Sequence, residues 1–315
     1  MATRAAGEID FSDVYVDLTG TEADIPMLSA TEMPHRLADA ILRDSEIDGV
    51  GFGKSAVGKQ ILGAKPGDLS PLLEASPTSL VFGCWFSQHG LARQWRIQRT
   101  TTAEIWADNA VIGQAVGSRM DPLGIEKIAL FEAADGEWTA LEANAVRDAK
   151  GHAKPYAKSK PSEINHGNIA PSVREQGITA EAVTLRWALP MAALRRLRFG
   201  GGARDAAGQA YVAALAILGR VLDHESGYSL RSRCDLISAG PLTIDVIWRD
   251  GTANTRSVTK ADALGILAEA ENGLRSCGIT FGQRIEAKPS EKLKGLIAAN
   301  RRHQVQDEDA SKEAD

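Results

Sequence analysis

The stretch from Ser79 to Ile125 guides the interpretation of the whole chain, and it reads SLVFGCWFSQHGLARQWRIQRTTTAEIWADNAVIGQAVGSRMDPLGI. It opens on a short apolar run, Leu80-Val81-Phe82, which Gly83 separates from a second apolar triplet, Cys84–Phe86. Short apolar runs that are rich in strand-forming residues favour a buried β-strand. We therefore predict that this stretch begins as a buried strand.

A polar loop and a row of arginines follow the predicted strand. Ser87 and Gln88 begin the loop, and Arg93, Arg96 and Arg99 come next at a spacing of three. On a helix, this spacing would hold all three guanidinium groups within one sector of the surface. A strand that leads into a Gly-containing loop and then a row of cations is suited to binding a polyanion.

Several segments of the chain resemble, in the same order, the backbone subunit of a CRISPR effector complex. They are HRLADAILRDSEIDGVGFGKSAVGKQI (35–61), FGCWFSQ (82–88), the arginine row, TTAEI (101–105), SRMDPLGI (118–125), ITAEAV (178–183), LPMAALRRLRF (189–199) and GYSLRSRCDLIS (227–238). The family is the Cas-seven type of the RAMP superfamily, in the branch of type I-U (also called I-G) systems. The resemblance covers most of the chain apart from its two ends.

This resemblance implies a fold and a role. The fold would be α+β, with a ferredoxin-like (RRM-like) RAMP core over residues 1–302, large insertions that form an arm, and a disordered acidic tail at 303–315. The role would be non-catalytic: several copies would assemble along a CRISPR guide RNA in a Cascade-type antiviral complex that targets DNA. The implied partners are crRNA, target DNA reached through the guide, other copies of the chain, and the large and fused guide-processing subunits of Cascade. No cofactor, metal or membrane contact is expected.

A guide that must still pair with its target has to be held by its sugar-phosphate backbone, which leaves the base edges free. Cationic side chains, small polar side chains and backbone that glycine leaves accessible can all bind the sugar-phosphate backbone. The candidate RNA-binding residues are Lys54, Lys59, Ser87, Gln88, Arg93, Arg96, Arg99, Arg119, Arg231 and Arg233. Arg231 and Arg233 alternate on one face of a predicted strand, where they could bind RNA or simply be surface residues.

Two members of the arginine row also have a structural interpretation. Arg96 and Arg99 could form ion pairs instead of binding phosphates. Their candidate partners are Glu104 and Asp108, which follow in the sequence. Exposed ion pairs of this kind stabilise a protein only weakly, and the sequence leaves both interpretations open.

A Gly-rich segment at 48–60, DGVGFGKSAVGKQ, partly resembles a phosphate-binding loop. Gly53, Gly58 and Lys59 satisfy the GxxxxGK spacing, but Gln60 stands where such a loop needs a Ser or Thr to bind magnesium. Three interpretations stay open: a nucleotide-hydrolysing loop, a phosphate contact through the two lysines without hydrolysis, and a purely structural loop.

The competing class of function is an enzyme. Related backbone subunits cut target RNA with an acidic loop residue, and Asp48 and Asp121 are the candidates here. No paired carboxylates or Cys/His group in the sequence points to a nuclease site. The type I-U resemblance also argues against target cutting by this subunit, so we expect no catalysis.

The composition is that of a globular protein, with 43% hydrophobic and 24% charged residues. Cys84, Cys234 and Cys277 are far apart, which favours a reducing compartment without a disulfide framework or a Cys-rich zinc site. No apolar run approaches the roughly 20 residues of a membrane span. Because the acidic start also lacks the apolar run of a signal peptide, we expect a soluble cytoplasmic protein.

The net charge of −5 conceals an asymmetry. Residues 1–50 carry 3 basic and 11 acidic side chains, whereas residues 145–205 carry 11 basic and 5 acidic ones. Neighbouring copies could dock an acidic face on a basic one, the basic segment could hold nucleic acid, or both could be solvated surfaces.

Residues 145–175 lack periodicity and are too long for a simple connector. We interpret them as a binding arm rather than a mobile loop.

Periodicity and turn residues predict the remaining elements. The predicted strands and helices are a strand at Val14–Leu18, helices at Pro34–Ser45 and Leu69–Ala75, a hairpin around Asp135-Gly136, a strand at Ala182–Leu189, helices at Met191–Leu197 and Ala206–His224, strands at Tyr228–Ser238 and Leu242–Arg249, and a helix at Ala261–Ser276. The order from residue 182 onward matches most of a βαββαβ unit, with a partner strand from the first half.

Overall fold

The computed structural model describes residues 11–86, 95–116, 128–160, 163, 173–230 and 234–301, with side chains for all of these except 85–86, 95–96, 113–116 and 173–177. The chain divides into two compact units. Unit 1 joins Met1–Ala103 to Trp187–Asp315, and unit 2 is Glu104–Arg186. Helices and small sheets both contribute, which confirms the mixed α+β class.

A five-stranded sheet in unit 1 pairs a strand near the start of the chain with a strand near its end. Its order is β2-β1-β17-β3-β4. The strands are β1 (Asp13–Asp17), β2 (Met27–Ser29), β3 (Ser45–Ile47), β4 (Val50–Gly51) and β17 (Arg284–Pro289). The strand predicted at Val14–Leu18 is confirmed as β1, which runs parallel to β17 with Val14 opposite Ile285. Val14 and Val16 are fully buried, so this strand is part of the core.

Two long helices pack against each other in the same unit. The helices of unit 1 are α1 (Ala40–Arg43), α2 (Ala56–Leu62), α3 (Ser70–Ala75), α4 (Thr78–Phe82), α5 (Met191–Leu194), α6 (Gly202–Ser226) and α7 (Lys260–Ser276), and residues 291–301 are also helical. The predicted helices at 69–75, 191–197, 206–224 and 261–276 are confirmed as α3, α5, α6 and α7. Tyr211 and Leu218 of α6 and Leu274 of α7 are buried, as the helical period predicts.

The prediction of a strand through Leu80–Phe82 is wrong, because these residues end helix α4. Pro77 precedes the helix with a φ of −60°, which suits a helix start, and Gly83 ends it with a φ of +76°. Strand β5 (Cys84–Phe86) begins after that glycine and pairs antiparallel with β6 (Trp95–Ile97). A buried apolar run this short has no period that separates a helix from a strand.

The arginine row is not helical where the structure describes it. Arg96 lies in β6, opposite Trp85, and Arg99 follows the end of that strand. A strand has a period of two, so it does not form the single helical sector that a spacing of three would give on a helix. Arg93 lies outside the described residues.

The helix predicted at Pro34–Ser45 is interrupted. A 3₁₀ turn at Arg36–Ala38 precedes α1, and Asp39 between them is extended, with φ −71° and ψ 147°. The Asp39 carboxylate accepts hydrogen bonds from the N–H groups of His35 and Ile41. These side-chain bonds to the backbone compete with helix formation, so an apolar helical period does not give one continuous helix here.

Antiparallel ribbons dominate unit 2 and its borders. The strands are β7 (Thr102–Asp108), β8 (Val111–Val116), β9 (Phe131–Glu132), β10 (Trp138–Thr139), β11 (Val173–Thr179) and β12 (Ala182–Ala188). Strand β7 pairs with β12, β8 with β11, and β9 with β10. The predicted hairpin around Asp135-Gly136 and the strand at Ala182–Leu189 are confirmed. Part of the predicted arm, 145–160, forms single bridges such as Arg147 with Ala153, and its binding role stays a prediction.

The predicted strand Tyr228–Ser238 is wrong as one element. Strand β13 (Tyr228–Leu230) turns back to pair with β14 (Cys234–Leu236), and a second hairpin joins β15 (Thr243–Ile247) to β16 (Ala253–Ser257). In the part of the chain that the structure describes, these hairpins are separate from the five-stranded sheet. The ferredoxin-like order is therefore not confirmed. The predicted tail at 303–315 lies outside the described residues, and the single-domain boundary at 302 stays a prediction.

The Asp205 carboxylate holds the loop that precedes α6. Its Oδ1 accepts hydrogen bonds from the N–H groups of Phe199 (2.6 Å) and Gly201 (3.0 Å). Its Oδ2 accepts one from Arg198 Nη1 at 2.9 Å. Burial acts to raise the pKa of this carboxyl, but the hydrogen bonds hold the pKa below its ordinary value.

Replacing Asp205 with Asn is expected to lower the free energy of unfolding at pH 7 by about 1–3 kcal/mol, because buried N–H groups lose a charged acceptor. A depressed folded pKa stabilises the protein above the unfolded pKa of about 4, and this stabilisation is lost as the pH falls through the folded pKa. Urea unfolding should therefore separate the two proteins at pH 7 and bring them together in acid. Asp235→Asn, at an exposed position in β14, is the matched control. An equal difference at both pH values would contradict this role.

Candidate nucleic-acid interface

A cleft of about 610 Å³ opens in unit 1 where the connection after α4 meets the end of β6. Two cations, Arg36 and Arg99, line it together with the ring of Phe82. Its other polar side chains are His35, Gln98 and Thr102. All three are exposed, so the cleft is open to solvent and carries positive charge beside an aromatic surface.

Arg36 takes an uncommon backbone conformation in this cleft, with a φ of +52°. A positive φ is costly for a residue with a side chain, and such residues cluster at functional sites. Its Nη1 donates a hydrogen bond to the Gly83 carbonyl at 2.9 Å, and its guanidinium carbon lies 5.5 Å from the centre of the Phe82 ring. Burial lowers the pKa of Arg36, but an arginine remains charged in proteins.

Gly83 allows the two walls of the cleft to approach each other. A Cβ added at this position would lie 2.8 Å from the Arg99 backbone N and 2.9 Å from the Ile97 carbonyl O. Its φ of +76° also favours glycine. The N–H of Thr100 donates to the Val81 carbonyl at 2.9 Å, which ties the chain beyond Arg99 to α4. These backbone contacts fix the position of the Arg99 backbone, just after the end of strand β6.

The exposed groups of the cleft suit a nucleotide. Phe82 is 47% exposed, so part of its ring is open to stack on a base or to contact a sugar. Arg99 is exposed and has no ion-pair partner among the residues that the structure describes. A planar guanidinium of this kind can bind a phosphate through two hydrogen bonds.

Cys84 lies at the base of the cleft but offers no reactive group. It is 6% exposed, and burial raises the pKa of its thiol to about 12, although Arg36 and a hydrogen bond with Ser79 act to lower it. The thiolate is the reactive form of cysteine. At neutral pH this residue therefore packs as a small apolar side chain.

Lys54 and Lys59 lie outside the cleft. Lys54 ends a 3₁₀ turn at Phe52–Lys54 and Lys59 lies within α2, and both are exposed. The N–H of Gly58 already donates to Ser55 Oγ (3.0 Å), and that of Lys59 donates to the Ser55 carbonyl (2.9 Å). These N–H groups are not available to cradle a phosphate, so the geometry argues against a nucleotide-hydrolysing loop at 53–60.

The cleft brings together one predicted binding residue, Arg99, and two residues that sequence reasoning missed, Arg36 and Phe82. Gly83 directly after an apolar run was the available signal for Phe82. Nothing in the sequence indicated Arg36, because it lies 47 residues from the carbonyl that it binds. For Arg96 the structure describes only the backbone. The predicted sites outside the described residues are Ser87, Gln88, Arg93, Arg119, Arg231 and Arg233.

The catalytic alternative rests on two acidic residues. Asp48 is exposed in the turn between β3 and β4, with a φ of +53°, and Asp121 lies outside the described residues. Among the residues whose positions are described, no three His, Cys, Asp or Glu side chains gather where they could hold a metal ion. In the same residues, no helix has the length and apolar character needed to cross a membrane.

Comparison with known proteins gives one family. Residues 1–111 match the family of CRISPR-associated protein GSU0053. This segment contains the Arg36–Phe82–Arg99 cleft and the whole first half of the predicted motif series. No curated protein and no solved structure matches the chain.

Proposed function

We propose, from the match of residues 1–111 to the family of CRISPR-associated protein GSU0053, that this chain is a guide-RNA-binding backbone subunit. In this proposal several copies assemble along a crRNA in a type I-U (I-G) Cascade complex. The subunit is non-catalytic, works in the cytoplasm and contains a ferredoxin-like RAMP core. Target DNA reaches it only through the guide.

The cleft formed by Arg36, Phe82 and Arg99 is the observation that carries this proposal. It offers two cations and an exposed aromatic surface on a backbone held by hydrogen bonds, and it is open to solvent. Contacts of this type hold the phosphate and sugar and leave the base edges free to pair. Every copy along the guide can make the same contacts, whatever the nucleotide sequence of the guide.

The remaining candidates take subsidiary roles in the proposal. Arg93 and Arg96 neutralise phosphates beside Arg99. Ser87, Gln88 and Arg119 set the position of the strand. Lys54 and Lys59 make a phosphate contact away from the cleft. Arg231 and Arg233, which stand between β13 and β14 in the sequence, also contact the RNA.

The asymmetric charge supports assembly. An acidic first segment and a basic segment at 145–205 allow one copy to attract the next. The large subunit and the fused guide-processing subunit of Cascade are the other proposed protein partners. The proposal assigns no cofactor to the chain.

Purification of the protein from cells that co-express a CRISPR array tests the proposal directly. The expected result is a discrete RNA of guide length that travels with the protein, with several protein copies per RNA by native mass spectrometry. The same purification without the array is the control and should lose that RNA. A monomer free of nucleic acid in both preparations, also when the proposed partner subunits are added, would overturn the proposal.

A further inference from the structure

Trp106 of unit 2 is a large aromatic side chain that the fold leaves on the surface. It lies on β7 and is 51% exposed. The guanidinium carbon of Arg186, on the paired strand β12, lies 5.6 Å from the centre of its ring. An arginine at this distance over an indole makes a favourable cation–π contact, so the two side chains hold each other in place.

The backbone beneath this pair is well fixed. At the end of β7, the N–H of Glu181 donates to the Asp108 carbonyl at 3.0 Å. The Asn109 amide donates to the Glu181 carboxylate at 2.6 Å. The ribbon therefore presents Trp106 in a defined orientation, and binding a ligand there would cost little conformational entropy.

Both members of the pair retain free binding capacity. The arginine covers one side of the indole, and the exposed half of Trp106 leaves ring surface for a second planar group. Arg186 is itself exposed and makes no ion pair or hydrogen bond with another described residue. A flat aromatic surface beside an unpaired guanidinium is the combination that binds unpaired nucleotides, because the base stacks and the phosphate bonds to the arginine.

The neighbouring residues favour a nucleotide over a protein surface. Ile105 and Val183 are also exposed. Side chains alternate along a strand, so Ile105, next to Trp106 on β7, and Val183, three positions from Arg186 on β12, face away from the pair. Neither residue therefore extends Trp106 into a continuous apolar patch of the kind that marks protein docking. Glu104 and Asp108 share its face and repel phosphates, which confines phosphate binding to Arg186.

We propose that Trp106 and Arg186 form a second binding site for single-stranded nucleic acid, which takes one unpaired base on the indole and its phosphate on the guanidinium. The site lies in unit 2 and shares no residue with the cleft of Arg36, Phe82 and Arg99 in unit 1, and its use rests on the proposed nucleic-acid function. Because acidic groups flank it, its affinity comes mainly from stacking. It therefore differs from the cleft in needing a base and in depending less steeply on salt. The unpaired base can come from the guide RNA or from a displaced DNA strand.

Fluorescence anisotropy with the full-length protein tests this site. The probes are labelled ten-residue oligouridine, the corresponding oligothymidine, and an abasic strand of the same length. Trp106→Ala is expected to weaken binding of a base-containing probe about tenfold, with no change for the abasic strand and no change in the salt dependence. Trp106→Phe should retain most of the affinity. Trp138→Ala, at another partly exposed tryptophan of unit 2 (39%), should bind like the unchanged protein.

The outcomes separate this site from the proposed function. If Trp106→Ala loses affinity for oligouridine alone, the site belongs to the guide RNA. If it loses affinity for oligothymidine alone, the site belongs to a DNA strand. A loss of affinity for both probes would support a site that stacks on an unpaired base of either nucleic acid. If Arg99→Glu weakens binding and Trp106→Ala does not, this site is overturned and the cleft stands. If the unchanged protein binds none of the three probes, the proposed function and this site are both overturned.

Discussion

Replacement of Arg99 by Glu is expected to weaken binding of single-stranded RNA about 10- to 100-fold at physiological salt. The estimate follows from the removal of one charged hydrogen bond, worth about 1.5–3 kcal/mol, and from the repulsion that a carboxylate adds. The slope of log affinity against log salt should also fall by about 0.7 for each phosphate that the protein no longer neutralises. Titration of labelled RNA at several salt concentrations measures both effects.

The fold should survive this change, because Arg99 is exposed. Arg249→Glu, at an exposed position after β15, introduces the same charge change elsewhere and should leave RNA affinity almost unaltered. The triple reversal of Arg93, Arg96 and Arg99 should weaken binding further. Equal RNA affinity of the unchanged and Arg99→Glu proteins, with equal salt slopes, would refute the assigned role of the cleft.

Gly58→Ala is expected to produce the largest loss of stability. A Cβ at this position would lie 1.8 Å from the Phe52 carbonyl O and 2.7 Å from its carbonyl C, and backbone atoms cannot rotate away. Overpacking in a well-packed region costs about 1–3 kcal/mol and sometimes more, and a backbone clash belongs at the upper end. Thermal unfolding should therefore begin several degrees lower.

Gly53→Ala is the matched control for this prediction. Its added Cβ would meet only Leu62 Cδ1 at 3.7 Å, an ordinary contact, so stability should change little. A phosphate-binding loop would instead make both glycines necessary for nucleotide binding. An unaltered melting curve for Gly58→Ala, or loss of ATP binding in both variants, would contradict the structural role assigned here.

The long helices were predictable because their signals are local. The 206–224 and 261–276 segments repeat apolar residues at the helical period over several turns, and Gly227 ends the first of them with a φ of +76°. A pattern this long has no competing interpretation. The three-residue apolar run at 80–82 could be interpreted as a strand or as a helix. The backbone conformations of Pro77 and Gly83 make it a helix.

The candidate site was only partly predictable. Arg99 was identified because an arginine row after an apolar run is visible in the sequence. Its neighbours in space were not, since Arg36 reaches the cleft through a left-handed backbone conformation and a hydrogen bond to a distant carbonyl. Trp106 and Arg186 were missed for a similar reason: they are 80 positions apart and meet because β7 pairs with β12.

By itself, the sequence determined the mixed α+β class, the long helices and the strands at 14–18 and 182–189, and its first 111 residues match the family of CRISPR-associated protein GSU0053. These properties depend on composition, on periods that repeat within one element, and on motif order. Only the tertiary structure decided that residues 80–82 are helical, that β1 runs beside β17, and that Arg36, Phe82 and Arg99 share one cleft. Each of these depends on backbone contacts between distant segments, and no local pattern of side chains specifies such contacts.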